Sequence, residues 1–308
     1  MKIIYVKSLV FISLFLLMLL VSADTSVIMF HKWNLMSENQ GHAWLLLGMF
    51  FYLAYENKHK LELAEQVYVV PLLLLVVVVI VNFFAAKFSV LLFHQFAMLG
   101  FLYFSIKSLF KIKDELQLVR LVGVLIFTTT TFDHLVPYLV NMSSYVVSHL
   151  ISMYGITAFI DGPMIEIPSG SILIADSCSG VRYVIVALAI GCIMGIMENA
   201  TLVSNLKLLV YSVLIALIAN WLRIFLLVAI GDATEMQSSL MKDHEFFGFI
   251  VFFLCFAPLF KYRLVSREKN IASQTAIAGS LKTSKILLNM SFVIGLLIIN
   301  IILQGGIA

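Results

Sequence analysis

Residues 174–191 read IADSCSGVRYVIVALAIG. The stretch leaves a polar segment that sets Cys178 between two serines, passes Gly180 and Arg182, and enters an apolar run that lasts into the following turns. A run of about 20 predominantly apolar residues is what a helix needs to cross a bilayer core of about 30 Å. The stretch therefore marks the mouth of a membrane helix, with a thiol at its entrance. The rest of the chain has the same character: 62% of the 308 residues are hydrophobic and 12% charged, with a mean hydropathy of +1.05. Soluble domains hold about 45 to 50% apolar residues. The expected fold class is an all-α polytopic membrane protein, since helices satisfy their own backbone groups in lipid.

Apolar runs lie at about residues 8–23, 43–55, 67–86, 89–106, 119–140, 183–203, 208–230, 246–260 and 286–303, which predicts about nine transmembrane helices. Lys2 and Lys7 precede the first run and Val21-Ser22-Ala23 ends it. Residues 1–23 thus fit either an uncleaved anchor or a signal peptide, and both deliver the chain to the outer side. With the N-terminus inside and the spans alternating, Lys58, Lys60, Lys107, Lys111, Lys113, Arg120, Lys207, Lys261 and the basic residues from Arg263 to Lys285 fall on the inner side. The outer loops keep only Lys32, Lys87 and Lys242. This is the asymmetry of the positive-inside rule, and a shift of one span would reverse it. A net charge of +3 arranged this way gives no nucleic-acid footprint.

The outer segment from Asn141 to Val181 contains no Lys or Arg. It reads as an amphipathic piece around YVVSHLISMYGI, then a small hairpin in which Ile165, Ile167, Ile172 and Ile174 flank a Pro168-Ser169-Gly170 turn. The hairpin would deliver Cys178 to the sixth helix. Three parts follow: N-terminal membrane helices over 1–140, a core with the outer loop over 141–262, and an inner linker with a last membrane helix over 263–308. The linker, from Ser266 to Lys285, is rich in Ser, Thr, Lys and Ala.

Cys178, Cys192 and Cys255 are the cysteines of the chain. Their odd number and lack of CxxC spacing argue against a disulfide framework or a thiolate metal site, and no cofactor motif is present. Cys192 and Cys255 lie inside apolar runs, where a thiol behaves as a small hydrophobe. Cys178 instead meets a helix N-terminus, where unpaired N–H groups and the helix dipole favour negative charge. In the seventh run Asn220 and Arg223 are three residues apart and share a face. Arg223 precedes Gly231 by eight residues, about 12 Å along a helix axis, and an arginine at that depth costs about 3 kcal/mol. Its bland alternative is a snorkelling arginine paired with Glu198, Asp232 or a lipid headgroup. His244 opens the eighth run, with Gly248 four residues on and on the same face. The thiol, the guanidinium and the imidazole all reach the outer ends of successive spans. They can line one pocket as nucleophile, oxyanion donor and base that becomes acid.

With Cys178-Ser179-Gly180 before one helix, NWLRI as Asn-x-x-Arg-Ile in the next and HEFFG as His-x-x-x-Gly opening a third, the sequence resembles the exosortase and archaeosortase family of membrane cysteine transpeptidases. The resemblance covers roughly residues 160–260. It implies catalytic Cys178, Arg223 and His244, at the outer face of a bacterial or archaeal cytoplasmic membrane. It also implies as substrates secreted proteins with a C-terminal sorting signal: a Pro-Glu-Pro type motif (PEP-CTERM), a membrane helix and a basic tail. A lipid or glycan acceptor and a link to exopolysaccharide belong to the same expectation. Ser179 and Gly180 would lend backbone N–H groups to the oxyanion, and Asn220 would orient Arg223 or the substrate. Arg182 would support a charged sulfur or grip a substrate carboxylate, and Asp176 or Asp243 would polarise His244. Gly180-Val181-Arg182-Tyr183 stands where the family more familiarly has a Leu-Arg-Ser-like run, and a ninth apolar run follows the core.

A different class, a transporter or export scaffold with Arg223 and Glu198 lining a path, lacks repeats, paired broken helices or a chain of midplane carboxylates. Other intramembrane proteases would need a GxSG motif, an HExxH motif or paired midplane aspartates.

Overall fold

A computed structural model describes residues 2–34, 40–63, 68–241 and 244–274. By its internal contacts the chain divides into two units, one of residues 1–133 with 188–209 and one of 134–187 with 210–308.

The first unit begins with α1 (Lys2–Val21) and α2 (Ala23–Asn34), which meet at a bend of 96°. The bend has identifiable causes, because side chains take over the backbone groups it frees. Asn82 donates to the Val21 carbonyl at 3.2 Å and Ser26 donates to the Leu19 carbonyl at 3.2 Å. The chain continues through α3 (His42–Glu56), β1 (Leu61–Leu63), α4 (Val69–Lys87), α5 (Leu91–Leu109), β2 (Phe110–Ile112) and α6 (Glu115–Gly123). Strands β1 and β2 pair antiparallel, Glu62 opposite Lys111. This joins two loops that the charge pattern assigns to the same side. A third segment of that side meets them, since Lys60 donates to Asn199, Gln117 donates to the Ile196 carbonyl at 3.0 Å, and buried Arg120 donates to the carbonyls of Gly195 and Thr201.

The fifth apolar run is not the single span its composition suggests. After α6 the chain tightens into 3-10 turns over Val124–Thr128 and Thr130–Leu135. Four consecutive threonines cause the break: Thr128 and Thr129 donate back to the carbonyls of Leu125 and Ile126, competing with the helical ladder. Carbonyls released there are received by neighbours, Trp33 donating to the Thr128 carbonyl at 2.8 Å and His42 lying 3.0 Å from the Phe127 carbonyl.

In the second unit α7 (Val136–Tyr154) absorbs the amphipathic piece expected as a separate part of the outer loop. Its buried stripe of Val140, Ser143, Ser144, Val147 and Ile151 has helical spacing. Gly155 ends it in a left-handed conformation at φ +84°. The loop then forms three antiparallel strands in the order β3 (Phe159–Asp161), β4 (Met164–Ile167) and β5 (Gly170–Leu173). The expected hairpin is β4–β5, with Ile165 opposite Ile172. Ile165, Ile167 and Ile174 are buried with Val147, Ile151, Ile224 and Val228, and Ser169 donates to the Gly231 carbonyl. The sheet is thereby held on the end of a membrane helix.

Three further helices follow among the described residues: α8 (Val181–Met197), α9 (Leu202–Ala233) and α10 (His244–Gln274). Each of the first eight apolar runs is built around helix; the fifth is broken at its threonines, and the sixth ends in the turn between Met197 and Leu202. Among the described residues α4 and α9 can each cross a membrane alone by length and composition, and up to four spans are reached if each bent pair counts as one. Helix α10 continues through Ser266 to Gln274, so the start of the expected linker is helical. The remainder of the linker and the ninth run lie outside the described residues.

Candidate active site

Cys178 is placed by a chain of local hydrogen bonds that begins in the sheet. The Ile174 N–H donates to the Pro163 carbonyl at 2.8 Å, just past β5, and the Cys178 N–H donates to Ala175 at 2.8 Å. Asp176–Cys178 make a single 3-10 turn. Gly180 then adopts φ +93°, a value that L side chains rarely adopt, and α8 starts at the next residue. The buried Ser179 accepts the Val181 N–H on its hydroxyl at 3.3 Å. Its own N–H already donates to the Asp176 carbonyl at 3.2 Å.

Helix α9 supplies the next two residues. Asn220, 1% exposed, donates from Nδ2 to the Cys178 carbonyl at 3.1 Å and to the Ser143 hydroxyl at 3.3 Å. Ser143 donates onward to the Ser179 carbonyl at 3.4 Å. A Cβ on Gly180 would lie 2.8 Å from Asn220 Cγ and Nδ2. Gly180 therefore serves twice, in the chain reversal and in the close approach of the asparagine.

Arg223 is 5% exposed, which sets aside a snorkelling side chain. Its Nη2 donates to Cys178 Sγ at 3.8 Å, and its guanidinium lies 5.7 Å from the centre of the Tyr183 ring. Its Nε is buried without a hydrogen-bond partner among the described residues.

The third motif enters through packing. A Cβ on Gly248 would lie 2.7 Å from Arg223 Nε and 2.9 Å from its Cδ, and would collide with the Tyr183 hydroxyl. The glycine is what lets α10 lie against the arginine. Tyr183 also packs on Phe252, one turn beyond Gly248, with ring centres 4.9 Å apart. His244, the first residue of α10, is half-buried and precedes Gly248 by one turn on the same face.

Of the residues singled out in the sequence, Cys178, Ser179, Gly180, Asn220 and Arg223 are joined by direct contacts. His244 is tied to them through its helix register with Gly248. Arg182 is half-buried in the first turn of α8, Asp176 is exposed, and Asp243 lies outside the described residues. Sequence reading passed over Ser143 and Tyr183. Tyr183 directly follows Arg182 at the helix mouth, and Ser143 stands on the polar break of an apolar stripe; both are single polar groups whose partners are remote in the chain. Cys192, by contrast, is buried with its thiol donating to the Arg120 carbonyl at 3.8 Å.

A family model for the transmembrane exosortase matches residues 33–261, well over half of the chain. The protein belongs to the transmembrane exosortase family. The matched region of this exosortase includes all three motifs, and membership carries with it a multi-pass membrane protein of transpeptidase type. No curated protein and no solved structure matches the chain.

Proposed function

We propose that this exosortase family member is a cysteine transpeptidase that cuts, and transfers, secreted proteins bearing a C-terminal sorting signal at the outer face of the cytoplasmic membrane. The observation that carries the proposal is the 3.8 Å contact between Cys178 Sγ and Arg223 Nη2, inside a set where Asn220 holds the Cys178 carbonyl and the His-x-x-x-Gly helix packs on the arginine.

In the proposed reaction the Cys178 sulfur attacks the carbonyl carbon of the peptide bond just outside the substrate's membrane helix. Arg223 and the Gly180 N–H stabilise the oxyanion; the Ser179 N–H is committed to Asp176 and contributes nothing. His244, having taken the Cys178 thiol proton as base, gives it to the departing nitrogen as the C–N bond breaks, leaving an acyl thioester on Cys178. An acceptor nucleophile, with a lipid or glycan attached, or water then attacks the thioester and restores the thiol. The motif is of the Pro-Glu-Pro type, and the setting is surface anchoring linked to exopolysaccharide. Arg182, at the same helix mouth, grips the carboxylate of the motif.

The test is co-expression with a reporter carrying such a signal. Wild type shortens the reporter, while Cys178→Ala, Arg223→Ala and His244→Ala at matched protein levels leave it full length. Shortening by Cys178→Ala would remove the nucleophile assignment.

A further inference from the structure

We infer that Tyr183 is the positioning residue that aims Arg223 at Cys178, an inference that rests on the nucleophile reading above. An arginine side chain has a long flexible stem, and a guanidinium held by one weak bond to sulfur has many other orientations open to it. In this site Arg223 makes its hydrogen bond to Cys178 Sγ at 3.8 Å and leaves Nε without a partner among the described residues. What else restrains it is Tyr183. The ring faces the guanidinium at 5.7 Å, within the range of a cation–π contact. The phenolic oxygen fills the same space beside Gly248 that Arg223 Nε and Cδ border.

Tyr183 is itself fixed. It is 7% exposed, it stands in the first turn of α8, and its ring packs on Phe252, which packs on Phe256 at 4.5 Å. The rigid stack thus runs from α10 through Tyr183 to the guanidinium. It holds the cation at the sulfur. Such a group acts wholly through Arg223, and this separates it from an ordinary packing residue: once Arg223 is gone, removing Tyr183 has no further effect on Cys178.

The test is alkylation of Cys178 by iodoacetamide in the full chain in proteoliposomes, read by mass spectrometry of the Cys178 peptide, with buried Cys192 as the internal control of folding. Tyr183→Ala slows alkylation about tenfold, as does Arg223→Ala, because the guanidinium no longer lies against the attacking sulfur. The double variant is no slower than Arg223→Ala alone. Tyr183→Phe, which keeps the ring and loses the hydroxyl, slows it about threefold, and it carries the comparison if Cys192 becomes reactive in the alanine variant. Additive losses in the double variant, or unchanged alkylation in both Tyr183 variants while Arg223→Ala is slow, would overturn the positioning role and leave the nucleophile reading standing. Unchanged alkylation in Arg223→Ala would remove the Cys178–Arg223 pairing itself.

Discussion

Gly248 and Arg223 share one volume: a Cβ on the glycine would lie 2.7 Å from Nε of the arginine. The His-x-x-x-Gly and Asn-x-x-Arg motifs are therefore two halves of one packing contact, and the glycine is needed for the arginine to stay where it is. Gly248→Ala is expected to cut reporter processing about a hundredfold, the scale of a displacement of about 1 Å in a catalytic group. Its thermal midpoint in detergent should fall only modestly, since a long side chain can yield to a methyl. Full activity in Gly248→Ala would mean that the contact has no catalytic weight.

Gly180→Ala meets two obstacles, the left-handed φ of +93° and the Asn220 side chain 2.8 Å from the new methyl. Together these are expected to cost about 2 to 4 kcal/mol. Adding Asn220→Ala removes the collision and leaves the backbone strain, so the double variant should regain part of the thermal midpoint and none of the activity. A midpoint no higher than that of Gly180→Ala would show that the collision is not the main cost.

Asn220→Leu keeps the size of the side chain and deletes the donor that serves both the Cys178 carbonyl and Ser143. Leaving the part-buried Cys178 carbonyl and the buried Ser143 hydroxyl without this donor costs about 1 to 3 kcal/mol. The expected result is a lower melting temperature together with loss of processing; wild-type values for both would exclude Asn220 from the support of the Cys178 turn.

Arg120 is 5% exposed and donates to the carbonyls of Gly195 and Thr201, where α8 ends and α9 is about to begin. Arg120→Met is expected to destabilise the protein by about 1 to 3 kcal/mol, the cost of leaving the buried Gly195 carbonyl without its donor. The measurement is the shift of the thermal unfolding midpoint in detergent, and a shift near zero would make the arginine dispensable to the turn.

An impermeant thiol reagent added to intact cells should label Cys178 from outside, and a cysteine introduced by Asn199→Cys should react only from the inner side. Asn199 stands with Lys60 and Gln117, in loops that the positive-inside rule assigns to the inner side. The reverse pattern of labelling would invert the topology.

Apolar content, run length and lysine placement were enough to read an all-helical membrane protein, because in lipid the backbone must satisfy itself and charge sorts by side. The β4–β5 hairpin was legible for a similarly local reason, a Pro-Ser-Gly turn between isoleucines. The break of the fifth run was not, since four threonines count as neutral in a hydropathy reading and act only when their hydroxyls bond back to the chain. In the site, the sequence singled out the thiol, the asparagine, the arginine, the histidine and both glycines by type and spacing. What it could not contain was that Ser143 and Tyr183 join them and that each glycine makes room for a side chain of another helix. Their roles are distances between helices: a hydroxyl against a carbonyl from another helix, a ring beneath a guanidinium, and two missing methyl groups whose space a neighbour occupies. Such contacts exist only once the helices are packed, so tertiary structure alone decides them.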